Sequence, residues 1–137
     1  MRAYRRAHDR AARATYLLPR SETAPRRARQ LTAAYLTEEC GERISADQVA
    51  DALLVVSELV TNATRHGRGD CRLRLSVADG EVVVEVHDSS PVQPRLRRPD
   101  SLAEGGRGIA MVRELSHRFS VLGGPGGGKT VQAVLAC

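Results

Sequence analysis

The segment Glu58-Leu59-Val60-Thr61-Asn62-Ala63-Thr64-Arg65-His66-Gly67 carries an acid, an amide, a cation and an imidazole at helical spacing. At about 100° per residue, Glu58, Asn62 and Arg65 fall on one stripe. Val49, Leu53, Val56 and Val60 fall on the opposite stripe and are expected to face the core. An acid, a metal-capable amide oxygen and a cation in one row suit a site for phosphate and a metal ion. The competing reading is a solvated face, where Glu, Asn and Arg are common. His66 follows, and Gly67 stands at the expected helix C-cap.

Three further features bear on chemistry. Glu104-Gly105-Gly106-Arg107-Gly108-Ile109 directly precedes a helical pattern. Small residues there let backbone amides approach a phosphate, and a helix N-terminus favours anions; an ordinary hinge is the alternative. Asp88 ends a valine-rich strand, where its carboxylate can accept a hydrogen bond from the amino group of a purine, or act as a turn residue. Gly123-Gly124-Pro125-Gly126-Gly127-Gly128-Lys129-Thr130 matches the P-loop pattern. A working P-loop needs a helix after it, whereas Thr130–Ala136 alternates like a strand. The segment is therefore expected to be a glycine-rich hairpin turn, with Lys129 of little consequence for nucleotide binding.

The elements that must position these groups alternate in type. Ala14–Pro19 is a strand candidate. Ser21 or Thr23 caps a helix to about Cys40, with Pro25 in its first turn. Ser45 and Gln48 form a capping-box pattern for the helix that runs to His66. Cys71–Ala78 and Glu81–His87 alternate with period two around Asp79-Gly80, a hairpin signal. Residues 89–104 show no periodicity, and a long irregular loop in a small domain is usually functional. Gly108–Ser116 reads as a helix, followed by strands over Arg118–Leu122 and Thr130–Ala136. The expected fold class is α/β: a two-layer sandwich with a mixed, mainly antiparallel sheet and helices on one face.

Composition bounds the function. A chain of 137 residues is expected to form one domain. It contains no apolar run long enough for a membrane helix and no signal-peptide core, so a cytoplasmic location is expected. Cys40, Cys71 and Cys137 lack metal-ligand or redox spacing and are expected to be reduced thiols. The net charge of +5 is terminal in origin, because residues 1–29 balance to +7 and the remainder to −2. A basic arm over 1–13 therefore precedes a nearly neutral body over 14–137. Such an arm can bind phosphates, dock on an acidic partner or remain solvated. With only Tyr4, Tyr16, Tyr35 and Phe119 available for stacking, direct nucleic-acid binding is not expected.

Taken in order, Glu58 to Gly67, Asp88, Gly106-Arg107-Gly108 and Thr130 resemble the ATP-binding domain shared by histidine kinases, gyrase and the heat-shock chaperone ATPase, the Bergerat fold. The nearest resemblance is to its small single-domain branch, the bacterial anti-sigma factor serine kinases, and it extends from about Ala14 to Ala136. The resemblance implies ATP and Mg2+ as cofactors. It implies that Asn62 binds the metal, that Glu58 is the general base or orients the attacking hydroxyl, and that Arg65 and His66 lie near the phosphates. Asp88 would recognise the adenine amino group, supported by Thr130. Residues 91–107 would form a lid, with Gly106, Arg107, Gly108 and Ile109 on its phosphate side. Ser90 stands where the family pattern has glycine, and Pro91 follows it. His8, His66, His87 and His117 are scattered, so no phosphoacceptor helix is evident.

Two functional readings follow from the resemblance. One is a serine/threonine kinase that phosphorylates an anti-anti-sigma protein and binds a sigma factor in its other state. The other is an ATP-responsive partner-binding module with weak or absent transfer. The resemblance leaves room for a homodimer.

Overall fold

The structure is a computed structural model that describes residues 13–66, 69–89, 105–123 and 128–137, with residues 105–107 described by their backbone alone. The chain order is β1 (Arg13–Leu18), α1 (Ala24–Cys40), a short 3-10 turn (Gly41–Arg43), α2 (Ala46–His66), β2 (Cys71–Ala78), β3 (Glu81–Asp88), α3 (Gly105–Leu115), β4 (Arg118–Gly123) and β5 (Lys129–Ala136). The five strands form one sheet in the order β1-β2-β3-β5-β4. Every pairing is antiparallel, so the expected sandwich holds and the sheet has no parallel pair among the described strands.

Local sequence accounts for most of these elements. The capping box forms at the start of α2: the Ser45 backbone N–H donates to Gln48 Oε1 at 2.9 Å, and the Gln48 N–H to Ser45 Oγ at 3.1 Å. Asp79 and Gly80 both adopt positive φ, 54° and 77°. That is the backbone a tight β2–β3 hairpin requires. In β2 and β3 alternate residues are buried: Leu73, Leu75 and Val77, then Val82, Val84 and Val86. The α2 helix packs on this face, with α1 beside it and α3 across β5.

Several expectations need correction. The core face of α2 is Ala52, Val55, Val56, Leu59, Val60 and Ala63, while Val49 and Leu53 are only partly buried. The helix touches α1, α3 and three strands, so it buries a wide arc, and Asn62 is buried with it. The third helix begins at Gly105 and not Gly108. Glycine weakens a helix interior, but in the first turn the N–H groups have no intrahelical partner in any case. Cys40 and Cys137, distant in the chain, bring their sulfurs to 4.0 Å as free thiols. Residues 1–12 of the expected arm over 1–13, Gly67, Ser90, Pro91 and residues 91–104 of the expected lid over 91–107 lie outside the described residues, while 105–107 open the third helix.

Candidate functional site

The α2 helix delivers one end of the site. Arg20 Nε donates to the Thr64 carbonyl oxygen at 3.1 Å, which satisfies an orphan acceptor of the last turn. Asn62 is 8% exposed. Glu58 lies one turn earlier on the same face. Its carboxylate occupies the space beside Gly108 of α3, where a Cβ would collide with Oε1 and lie 3.0 Å from Cδ. An amide and a carboxylate one turn apart, the carboxylate lying against the glycine of a facing helix, place two oxygen donors side by side. Hard oxygen donors of this kind suit magnesium, which retains several waters and needs few side chains. Among the described residues no group of three His, Cys, Asp or Glu gathers to hold a metal.

Arg65 and His66 are exposed at the end of α2. The His66 imidazole is held below its ordinary pKa, first by partial desolvation, then by the cations of Lys129 and Arg65, against the opposing pull of Asp88. It therefore lies within the field of Asp88 and Lys129 and is neutral at pH 7.

Asp88 ends β3 and Lys129 begins β5, and the two are directly paired in register. Both point inward, Lys129 at 1% and Asp88 at 2% exposure. The Lys129 ammonium donates to both carboxylate oxygens, at 3.2 Å to Oδ1 and 3.1 Å to Oδ2. Gly128, just before β5, lies against the backbone of β3, where a Cβ would sit 2.8 Å from the Asp88 carbonyl oxygen. The neighbouring Cys71 thiol is pushed up to about 11, chiefly by burial and then by the charges of Asp88 and Asp70.

Three sequence expectations meet this geometry differently. Rejection of the P-loop is consistent with a strand, not a helix, over Lys129–Ala136. Thr130 does not support Asp88: it points to the other face of the sheet, where its hydroxyl bonds His87 Nδ1 at 2.9 Å. There it lines an outer cleft of about 260 Å³ with Arg72, Arg74, Glu85 and His87. The residue beside Asp88 is Lys129, which the sequence reading placed in a turn of little consequence. Its direction was available from the phase of β5, since Val131, Ala133 and Leu135 face inward and Lys129 shares their parity.

On α3, Gly106 and Arg107 lie in the opening turn. The side chain of Ile109 belongs to the core at 2% exposure, so any contact of Ile109 with a ligand falls to its backbone. The first-turn N–H groups of a helix have no intrahelical partner and suit an anion. The described residues thus bring Glu58 and Gly108 together at one place and Asp88, Lys129 and His66 at another, both at the C-terminal half of α2.

The family model described as the histidine kinase-like ATPase domain matches residues 18–135. The structure of the RsbU and RsbW domains of Rv1364c from Mycobacterium tuberculosis is similar, with a TM-score of 0.70 and 22% identity over 91% of this chain. The match spans 32% of that chain, so the present chain corresponds to about a third of it. The SiaB-SiaC complex from Pseudomonas aeruginosa gives a TM-score of 0.65 and 15% identity over 98% of each chain. No curated protein matches significantly. At these identities the two structures support the fold.

Proposed function

Because the chain belongs to the histidine kinase-like ATPase domain family, we propose that it binds ATP with magnesium and transfers a phosphoryl group to a serine or threonine of a small anti-anti-sigma partner. In its other state it holds a sigma factor. The observation that carries this reading is the placement of Asn62, 8% exposed, one turn from a Glu58 carboxylate seated against Gly108 of α3. The motif resemblance supplies the substrate class. The fold likeness to a chain solved in the SiaB-SiaC complex supports a protein partner.

In this reading the magnesium ion supplies charge neutralisation at the phosphates. Asn62 offers it one amide oxygen, leaving room for water. The opening turn of α3 and Arg65 bind phosphate oxygens through N–H donors and charge. Glu58 takes the proton from the attacking hydroxyl, and Asp88 accepts a hydrogen bond from the adenine amino group. Phosphoryl transfer needs positioning and charge stabilisation more than covalent help, which is what these groups provide. No helix among the described residues is long and apolar enough to cross a membrane, and a cytoplasmic site of action remains part of the proposal.

Calorimetry with Mg-ATP is the first test. Asn62→Ala should weaken binding at least about tenfold, as expected for loss of a site whose metal ligand is a single side chain, with the fold intact by circular dichroism. Unchanged affinity would remove Asn62 from the site. With labelled ATP and a candidate partner, Glu58→Gln should keep both binding events and lose transfer by about 10²–10⁴-fold. If wild type and Glu58→Gln transfer equally poorly to every cognate partner, the kinase reading fails and the partner-binding module stands.

A further inference from the structure

We propose that Cys40 and Cys137 form a reversible modification site, closed to an intramolecular disulfide by a low-molecular-weight disulfide of the glutathione type. The site is independent of the nucleotide reading, because it lies at the other end of the sheet. Lys129 opens β5 and Cys137 follows its last residue, so roughly 25 Å of strand separates the pair from the Asp88–Lys129 end.

Both backbones are held in place. Cys40 is the last residue of α1. The helix stops there because Gly41 takes a φ of 56° and returns its N–H to the carbonyls of Leu36 and Thr37. Arg43 Nε donates to the Cys40 carbonyl oxygen at 3.3 Å. On the other side, the Cys137 N–H donates to the Gly80 carbonyl oxygen at 2.9 Å, in the β2–β3 turn. The two sulfurs are thereby brought to 4.0 Å, with the Cys40 thiol donating to Cys137. A disulfide has its sulfurs about 2 Å apart, and a side chain just past a strand end can supply that movement. Cys71 opens β2 opposite Leu18, in the field of Asp88, and is too far along the sheet to reach either thiol.

The two thiols differ in access. Cys40 is 3% exposed, whereas Cys137 is only partly buried, so Cys137 meets the oxidant first. Its thiolate attacks one sulfur of the small disulfide, and the other sulfur leaves as a thiolate that takes up the Cys137 proton. Burial, and then Cys137 itself, push the Cys40 thiol up to about 11. Capping Cys137 removes its share of that rise, while Arg43 favours the Cys40 thiolate. Cys40 then attacks the Cys137 sulfur beside it and displaces the second small thiol, which takes the Cys40 proton. Two electrons pass from the protein to the small disulfide, and two small thiols are released. The new bond joins positions 97 residues apart, a long loop whose closure restricts the unfolded chain.

Incubation of the reduced full chain with oxidised glutathione tests the site, followed by trypsin digestion without reduction and mass spectrometry. Trypsin cuts after arginine and lysine, which isolates Cys40 in residues 30–43 and Cys137 in residues 130–137. These two peptides should be recovered joined, from a chain that runs as a monomer on a non-reducing gel. Cys71 should be recovered unmodified, and dithiothreitol should separate the pair. The oxidised chain should melt roughly 5–15 °C above the reduced one, and Cys137→Ser should lose that rise. A glutathione adduct that stays on Cys137 without the cross-link overturns the inference. So does a cross-link between two copies, any pairing through Cys71, or a joined chain that melts below the reduced one. The mapping uses wild type, so it decides the matter even if Cys137→Ser does not fold.

Discussion

Thr64 tests how far the motif can be read residue by residue. It lies between Asn62 and His66, yet its hydroxyl is buried without a hydrogen-bond partner, while its backbone carbonyl is satisfied by Arg20. A buried hydroxyl left unpaired costs about 1–3 kcal/mol, and replacing it by a methyl of the same shape removes the cost. Thr64→Val should therefore melt at or above the wild-type temperature and bind Mg-ATP with unchanged affinity. A clear fall in melting temperature would show that the hydroxyl has a partner. A fall in affinity alone would place Thr64 among the ligand contacts. Asn62 is buried in the same turn and should behave in the opposite way if, as proposed, its amide is the group offered to the metal.

At the scale of elements, α2 and α3 meet in the site at Glu58 and Gly108. Exchanging a helical glycine for alanine ordinarily stabilises by roughly 0.5–1 kcal/mol. Here the new Cβ would meet only the end of the Glu58 side chain, not backbone. A glutamate can swing aside, so the fold should survive while the carboxylate leaves its place. Gly108→Ala is expected to melt at or above wild type and to lose phosphoryl transfer as severely as Glu58→Gln, about 10²–10⁴-fold. Melting curves and transfer of labelled phosphate measure the two effects separately. A steep loss of stability would mean that Glu58 is pinned, and full activity would mean that its position at α3 is irrelevant. The same interval shows why α3 was hard to delimit from sequence. Gly105 to Gly108 look like a break to any rule based on propensity, whereas the first turn of a helix makes few demands on propensity.

Across the whole molecule, what was legible in the sequence was what short-range chemistry determines. Ser45 and Gln48 cap α2 through contacts three residues apart, and Asp79-Gly80 turns the hairpin on its own dihedrals. The Asp88–Lys129 pair arises because β5 enters the sheet between β3 and β4, a pairing that no local pattern specifies. The approach of Cys40 to Cys137 is of the same long-range kind. These buried groups lead to a prediction about global stability. The Cys40 thiol is pushed up to about 11 by burial and then by Cys137, partly offset by Arg43. Cys71 rises to about 11 by burial and the nearby aspartates, and Tyr35 is raised too, chiefly by burial. In the unfolded chain the thiols ionise near their ordinary value of 9.0. Between about 9 and about 11 the folded state thus binds more protons than the unfolded state, and stability falls as pH rises. The stabilisation is fully present below pH 9 and is lost on passing through the folded values. Melting temperature should be nearly level from pH 7 to 8.5 with respect to these groups and decline from pH 9 upward. Cys40→Ala/Cys71→Ala should start lower, because two small cavities open in the core, but decline less steeply. Parallel declines in the double variant and wild type would show that the thiols do not carry the alkaline loss, leaving Tyr35 as the buried group to test next.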